Sequence, residues 1–472
     1  MRHATPIALG ELEALLVRAR ALALRTERKR RVFYSRSTVA LAARTPPSGI
    51  IAKPAKGACS VALEIRPYRE DEAAAFYRVP SIVFGNYAGE RPAPEGLAPL
   101  PPEWSLCAFE DGQLATTYGA FPLVVQLNGR KARAAGVTFV GTLPQFRRRG
   151  HVRAIMQTDF QRRYEQRLEP LAILTASVAG IYQRFGYAVC ASAVRYTIDP
   201  RWINFAPSLP PASGTWREGT KDELPLLQRL YRDFTASRNG PLHRGPQMWE
   251  GQTFGLGEGA AAANFGPSLV SVYEEAGEPK GYVAWAARFM ESYSDRKGPG
   301  QRVCVRDFVW NTPGAYRATW ELLKTFDLAA SVIIDNAPVD DPAMHVLLDP
   351  RELHATHRDW ILGRIIDVER ALPLRPYGHP GRVTFELSDV MCPWNAGRWS
   401  LESGAEGALA KRTAESPQLS LDVSALLQLL YGQVTPSQAV RYGRAEAASD
   451  APLQLWDAIW RTDYAPYCPN MF

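Results

Sequence analysis

The chain has 472 residues, of which 46% are hydrophobic and 22% charged, and at roughly 150 residues a domain it predicts about three globular domains. No apolar run approaches the roughly 18 residues that a bilayer-spanning helix needs, which argues against a membrane protein. The net charge of +7 arises in residues 1–60, with 12 Lys/Arg against 3 Asp/Glu; the remainder has 43 against 45, hence no basic excess for nucleic-acid phosphates.

Residues 1–60 are predicted to be an extension outside the folded part. A helix-like stretch, Gly10–Arg25, precedes the basic run Arg28–Arg31 and a tail rich in Pro, Gly, Ala and Lys. Three interpretations are open: a disordered extension or upstream-start artefact, an Arg-rich targeting segment, and a phosphate-binding arm. We favour the first. No apolar segment of the secretory type is present, so we expect no export by that route.

From Val61 to about residue 200 the pattern is of the α/β class. The pair Asn128-Gly129 best tolerates the positive φ of a two-residue turn and therefore predicts a hairpin. A helix with apolar residues at helical spacing follows this hairpin, and a short apolar run fit for a buried strand comes after it. The predicted strands are Leu63–Tyr68, Ser105–Phe109, Ala115–Leu127, Lys131–Thr142, Leu171–Ala176 and Tyr187–Ile198, and the predicted helices are Glu70–Val79 and Arg149–Gln166.

A Pro-rich stretch over residues 200–214 predicts a linker to a second unit that begins near Trp216. The string Phe308–Pro313 in this unit matches Phe139–Pro144 in the first, with a proline five residues after the phenylalanine in both. We interpret the match as an internal duplication. The second copy has Tyr316–Thr319 where the first has three arginines and a glycine, so we predict that it has lost the chemistry.

The third predicted unit, residues 361–472, is α+β and begins with a helix near Ile361. A β-pair, a further strand and two short helices follow, the helices capped by Ser424 and Thr435. The chain ends in an aromatic, proline-bearing tail from Tyr464 to Phe472, which predicts burial of the tail. The predicted strands are Arg382–Leu387, Arg398–Ser403 and Gln418–Asp422.

Metal chemistry has little support in the sequence. The six cysteines lie far apart without a Cys-x-x-Cys pair, which argues against a zinc ribbon or a thioredoxin-type site. His354 and His357 have no evident third ligand, and we place them on a solvated helix. We therefore predict reduced, buried thiols, no metal site and a cytoplasmic protein.

The stretch Val137–Arg153 carries the clearest chemical signal, because an apolar strand and a short turn lead into three arginines, a glycine and a helix. A helix N-terminus presents unpaired N–H groups and about half a positive charge, which suits a pyrophosphate. Adjacent arginines strengthen this attraction, and Gly150 lets the backbone approach the phosphates closely. A surface Arg cluster at a helix start is the alternative interpretation.

The Arg-x-x-Gly pattern after an apolar strand resembles the coenzyme-A loop of GCN5-related N-acetyltransferases, and the longer string resembles the enhanced intracellular survival (Eis) family. The resemblance covers about Val61 to Phe472. It implies a catalytic acetyltransferase domain over 61–200, a degenerate one over 215–360 and an α+β sterol-carrier-like domain over 361–472. Each of the tandem domains is expected to be a mixed sheet flanked by helices. The resemblance is carried by Phe139-Val140, Pro144, Arg147-Arg148-Arg149-Gly150, Ala176-Ser177 and the string from Gly180 to Tyr187.

The resemblance implies acetyl-CoA as co-substrate. The N–H groups of Val140 and Thr142 would bond the pantetheine and polarise the thioester carbonyl, a role worth roughly 3 to 4 kcal/mol per donor. The segment Arg147–Arg153 would wrap the pyrophosphate, and Ser177 would lie near the cofactor's far end. The implied cofactor-binding residues are Val140, Gly141, Thr142, Arg147, Arg148, Arg149, Gly150, His151, Val152, Arg153 and Ser177.

The resemblance also assigns the catalytic groups. Tyr182 matches the general acid, since a phenol with a pKa near 10 can protonate a departing thiolate. The base is the terminal carboxylate of Phe472, which at a pKa of ~3.5 cannot deprotonate an ammonium of pKa ~10 but can collect the proton of the adduct. A core tyrosine and an incidentally buried tail are the alternatives.

The predicted reaction is direct acetyl transfer to a primary amine: an aminoglycoside, a polyamine or a protein lysine. The family uses acidic side chains to hold polyamines, and the matching positions here are Asn86 and Met471, so a strongly cationic acceptor is less secure than the reaction. The resemblance implies a homo-hexamer, and no membrane or nucleic-acid partner is expected. The alternative function is a non-catalytic CoA- or lipid-binding protein.

Overall fold

A twelve-stranded sheet runs through both acetyltransferase-like units of this computed structural model, which describes residues 62–87, 89, 100–256, 265–290 and 298–472. The predictions for residues 1–60 lie outside the described residues. The strands of the large sheet are β1 (Leu63–Arg66), β2 (Cys107–Glu110), β3 (Gln113–Leu127), β4 (Arg130–Thr142), β5 (Leu171–Leu174), β6 (Ala188–Ile198), β7 (Thr215–Gly219), β8 (Leu269–Glu275), β9 (Glu278–Phe289), β10 (Gln301–Trp310), β11 (Ala329–Ala337) and β12 (Thr356–Ile365).

The order of the strands is β1-β2-β3-β4-β5-β12-β6-β11-β10-β9-β8-β7, and the described residues between 62 and 472 belong to one compact unit. No helix among the described residues is long and apolar enough to cross a membrane. The helices are α1 (Ala73–Val83), α2 (His151–Glu165), α3 (Gly180–Gln183), α4 (Leu224–Thr235), α5 (Pro246–Met248), α6 (Pro313–Lys324), α7 (Ala343–Val346), α8 (Val368–Ala371), α9 (Val423–Tyr431), α10 (Pro436–Arg441) and α11 (Leu453–Trp460).

The predicted hairpin and the predicted duplication are both present in the large sheet. Asn128 and Gly129 have φ values of 46° and 93° and join β3 to β4. β4 runs through α2 into β5 with parallel pairing, and β10 runs through α6 into β11 in the same way. The two units therefore share one connectivity, as the matching strings predict.

Strand β12 corrects two predictions. Ile361 does not begin a helix and His357 is not on a solvated helix, because both lie in β12, between β5 and β6. All five residues from Ile361 to Ile365 are buried. Such a run lacks the alternation of a half-exposed strand, so periodicity cannot distinguish it from a buried helix. The first helix after this strand is α8, which begins at Val368.

The C-terminal residues form a second sheet of five strands, and buried apolar residues of both sheets share one core with α9 and α11. The predicted strands of this region are confirmed. Thr435 caps α10 as predicted, whereas α9 is capped by Asp422 and not by Ser424, because the Asp422 carboxylate accepts from the N–H of Ala425 at 2.7 Å. The strands are β13 (Gly381–Ser388), β14 (Gly397–Gly404), β15 (Gly407–Arg412), β16 (Leu419–Asp422) and β17 (Ala445–Ala447).

Candidate active site

A gap opens between β4 and β5 beyond their short parallel ladder. The two strands pair only from Ala134 to Gly136 on the β4 side. Further along, β4 carries a bulge in which Phe139 and Val140 together lie opposite Tyr118 of β3, and Phe139 adopts a φ of 53°. A bulge bends the strand that carries it. The end of β4 therefore follows β3 and separates from β5.

Backbone donors of β4 face this gap. The N–H of Leu143 donates to the carbonyl of Ala115 on β3 at 3.0 Å. Successive peptide groups of a strand alternate sides, so the N–H groups of Thr142 and Val140 point away from β3 and into the gap. Fixed N–H groups are the donors that an acyl carbonyl needs as negative charge develops on its oxygen.

The arginine turn lies at the open end of the gap. Arg148 and Gly150 adopt left-handed φ values of 66° and 88°, and α2 begins immediately afterwards at His151. The side chains of Arg147 and Arg148 are exposed, and a Cβ placed on Gly150 would meet no atom within 4 Å. This open, cationic helix N-terminus fits a pyrophosphate.

Glu110 binds the side chains of two residues of this turn, Arg149 and His151. Its buried carboxylate bonds the Arg149 guanidinium and lies 2.9 Å from Nε2 of His151. Nδ1 of His151 is 3.3 Å from Oγ1 of Thr116, so the imidazole is buried and only the backbone N–H of His151 faces the turn. Arg149 is tethered, whereas the Arg148 side chain makes no hydrogen bond or ion pair with a described residue.

The other predicted cofactor residues differ in exposure. Gly141 is buried against Val79 and Val83 of α1, and Val152 packs against the first unit's core. Arg153 is exposed and stacks 5.8 Å from the Phe185 ring. Ser177 is exposed in the turn between β5 and α3.

Tyr182 lies on α3 at the β5 side of the gap. Its ring contacts that of Tyr187 edge-on at 5.9 Å and packs against the same buried cluster as Val140 and Ala176. Burial raises the pKa of its phenol to about 12. A phenol with this pKa stays protonated at neutral pH and is available as a proton donor.

The chain's last residue lies at the end of the short ladder from which the gap opens. Cδ2 of Phe472 lies 3.1 Å from the position of a Cβ on Gly136, the last β4 residue paired with β5. The predicted burial of the tail is confirmed in part: Tyr467, Cys468 and Asn470 are at most 5% exposed, whereas Tyr464 and Met471 are exposed. The amide donors, the arginine turn, Tyr182 and Phe472 thus all border the two strands that separate.

A carboxylate lies at the matching place in the second unit. At the start of α6, Oγ1 of Thr312 donates to Oε1 of Glu275 at 2.9 Å. A Cβ on Gly314 would lie 2.2 Å from the same oxygen. A carboxylate therefore occupies the helix N-terminus that a phosphate would need, which agrees with the predicted loss of chemistry.

Sequence reasoning missed Glu110, Gln252 and Asn470. Glu110 ends a buried strand next to a tight turn, a weak signal for a functional carboxylate. Asn470 is fully buried, and its side chain bonds Gln252, 218 residues away in the chain. No local spacing could connect that pair. Asn86 and Met471, the departures from the family's acidic positions, are both exposed.

The comparisons with known proteins concern the family and the domains of the chain. Two family models, each described as an acetyltransferase (GNAT) domain, match residues 64–190 and 240–365, and a sterol carrier protein domain matches residues 368–469. An uncharacterized N-acetyltransferase of Streptomyces coelicolor is 31% identical over 362 residues, which cover 75% of this chain and 85% of that protein.

The N-acetyltransferase Eis of Mycobacterium tuberculosis is 28% identical over 335 residues, 70% of this chain and 78% of its own. The crystal structure of Eis1 from Mycobacterium abscessus is 28% identical and superposes with a TM-score of 0.72 over 87% of this chain and all of that one. These relatives support an acetyltransferase over the non-catalytic alternative. The chain therefore belongs to the Eis-like GCN5-related N-acetyltransferases, with tandem acetyltransferase domains and a C-terminal sterol-carrier-like domain.

Proposed function

We propose that this acetyltransferase moves the acetyl group of acetyl-CoA to a primary amine by direct attack in the gap between β4 and β5. The observation that carries the proposal is that β4 separates from β5 after Gly136 and leads to the exposed arginine turn. The alternation of peptide groups along β4 would then direct the N–H groups of Val140 and Thr142 into the gap. Acetyl-CoA supplies the thioester. Arg147, Arg148 and the N-terminus of α2 hold the diphosphate, and the β4 amides stabilise the carbonyl oxygen.

The groups around the gap can carry out the two proton transfers that the reaction needs. An ammonium of pKa ~10 cannot be deprotonated by a carboxylate of pKa ~3.5, so the acceptor attacks as the neutral amine. The Phe472 carboxylate then takes the proton from the far more acidic adduct, and Tyr182 protonates the leaving thiolate. In this mechanism the enzyme contributes chiefly orientation and fixed dipoles.

The acceptor is an amine-bearing small molecule or a protein lysine. Asn86 and Met471 carry no charge that would select a polycation, which favours acceptors of low positive charge over aminoglycosides and polyamines. We also propose a hexamer in the cytoplasm. The five cysteines among the described residues are all buried and unpaired, which suits a reducing compartment, and sedimentation would test the assembly.

Calorimetry with acetyl-CoA and a thiol-release assay with a panel of amines test the proposal. We expect Arg148→Ala to weaken acetyl-CoA binding about tenfold, because a charge-assisted contact to phosphate contributes about 1.5 kcal/mol. The melting temperature should not change, since Arg148 bonds no described residue. Arg441→Ala, on the exposed end of α10, is the control. Acetyl-CoA binding without thiol release for any amine would refute the proposal.

A further inference from the structure

The tail that ends at Phe472 is held by the second acetyltransferase-like unit, although its last ring lies against the first. The N–H of Tyr467 donates to the carbonyl of Asn239 at 2.8 Å, and its hydroxyl donates to the carbonyl of Asn336 at 2.8 Å. The Asn336 amide in turn donates to the carbonyl of Cys468 at 2.8 Å. These partners lie on the second unit, where Glu275 lies at the start of α6.

Closer to the terminus, the side-chain amide of Gln252 binds both the N–H and the carbonyl of Met471. Oε1 of Gln252 accepts from the N–H of Met471 at 3.3 Å, and its Nε2 donates to the carbonyl of Met471. The same Oε1 accepts from Nδ2 of Asn470 at 3.2 Å, and Oδ1 of Asn470 accepts from the Tyr231 hydroxyl at 3.0 Å. The peptide immediately before the terminal carboxylate is thereby fixed in position and orientation.

Gln252 itself stands on a rigid support. It belongs to the short π-helix Trp249–Thr253, and Oγ1 of Thr253 donates to Asp307 at 2.7 Å. Asp307 is paired with Arg244 through two bonds of 2.6 and 2.7 Å, and all three side chains are buried. A buried ion pair joined by two hydrogen bonds does not rearrange cheaply. Movement of Gln252 would have to disturb this network.

From these contacts we infer that the second unit, which has lost its own chemistry, is the holder of the terminal carboxylate, with Gln252 and Asn470 as positioning residues. The inference rests on the proposed role of the Phe472 carboxylate as base. Only one residue separates the Gln252 clamp from that carboxylate, so a loss of the clamp displaces the base directly. A displacement of about 1 Å at a reacting group costs on the order of a hundredfold in rate.

The test compares Gln252→Ala with Gln454→Ala, a change on the exposed face of α11. We expect kcat to fall ten- to a hundredfold in the Gln252 variant, while KM for acetyl-CoA stays within about twofold, because the arginine turn is untouched. A second readout needs no activity. Carboxypeptidase should release Phe472 at least about tenfold faster from the Gln252 variant, since a freed tail is accessible to the protease. Gln454→Ala should match the wild type in all three.

If Gln252→Ala proves unstable, Gln252→Glu keeps the side-chain volume and the acceptor oxygen but loses the donor to Met471. It should still lower kcat and speed the release of Phe472. A variant with wild-type kcat and wild-type carboxypeptidase rate would overturn the inference.

A glycine appended after Phe472 separates this inference from the proposed function. Wild-type activity in the extended chain would disprove the terminal base, whatever Gln252 does. If the extension abolishes activity but Gln252→Ala leaves kcat and the release of Phe472 unchanged, the clamp alone is wrong. If the terminal base and the Gln252 clamp are both right, Gln252→Ala should not lower the kcat of the extended chain any further. The reason is that both changes act through one carboxylate.

Discussion

The three consecutive arginines Arg147, Arg148 and Arg149 differ in their hydrogen-bond partners. Arg147 bonds the carbonyl of Thr142 at 3.2 Å, and Arg149 is neutralised by Glu110. Arg148, between them, bonds no side chain or backbone group of the described residues and occupies a left-handed backbone position. The sequence predicts a cationic turn from the run of arginines and the glycine. It does not distinguish among the three, because the partner Glu110 comes from a strand about forty residues earlier.

Tyr182 gives a prediction for the acid step. Tyr182→Phe should lower kcat by roughly a hundredfold or more with little change in KM for acetyl-CoA, since it removes only the donated proton. Tyr442→Phe, at a residue that is 59% exposed, is the control.

The raised pKa of Tyr182 sets the pH dependence expected of the wild type. In the proposed role of general acid the phenol acts when protonated, and a pKa of about 12 keeps it protonated to high pH. Tyr182 should therefore cause no loss of kcat up to about pH 10. A decline of kcat with a midpoint below pH 10 that is absent from Tyr182→Phe would contradict this assignment.

At the scale of the element, α7 carries a buried carboxylate at its start. Oδ1 of Asp341 accepts from the Tyr316 hydroxyl at 2.6 Å and from the N–H of Ala343 at 2.9 Å, yet no cation balances the charge among these contacts. Burial raises the pKa of Asp341 to about 6. Between about pH 4 and pH 6 the Asp341 carboxyl is therefore protonated in the folded state and ionised in the unfolded chain.

Asp341→Asn should reveal this linkage. A raised folded-state pKa stabilises the fold fully below pH 4, and the benefit disappears as the pH rises through 6. Relative to the Asn variant, the wild type should therefore lose about 2 kcal/mol of unfolding free energy between pH 4 and pH 7. Urea titrations at both pH values measure the difference. Parallel stability at the two pH values would show that Asp341 is not protonated in the fold.

Prediction of elements from sequence was reliable where local chemistry decides and failed where distant pairing decides. Asn128-Gly129 specifies its hairpin by its own φ preferences, and Thr435 with Gln438 specifies a capping box. β12 has no such local mark, because its partners β5 and β6 come from much earlier in the chain. The cap at Asp422 was missed by two residues, which is a common error at helix boundaries.

Over the whole molecule, the first acetyltransferase unit is incomplete without a strand from the end of the second. β12 pairs with β5 through Leu362–Ile365 and with β6 through Thr356–Gly363. Its removal would leave two central strands with exposed backbone donors and acceptors. The predicted boundary at residue 200 therefore separates sequence segments and not autonomous folding units.

A fragment of residues 62–200 should accordingly fail to unfold cooperatively and should not bind acetyl-CoA, despite containing every predicted cofactor residue. Mixing it with residues 201–472, which supply β12, should restore both properties. Circular dichroism melting and calorimetry measure them. A fragment that melts cooperatively and binds acetyl-CoA alone would contradict this view of β12.

The position of β12 also sets the order of events on the ribosome. Synthesis proceeds at about 5 to 20 residues per second, so β12 emerges on the order of 10 to 30 s after β6. During that interval the slot between β5 and β6 remains open to any extended segment, and a chaperone that covers the nascent sheet would protect it. A protein in which the first unit waits for the second is thereby produced as a single folding event near the end of translation.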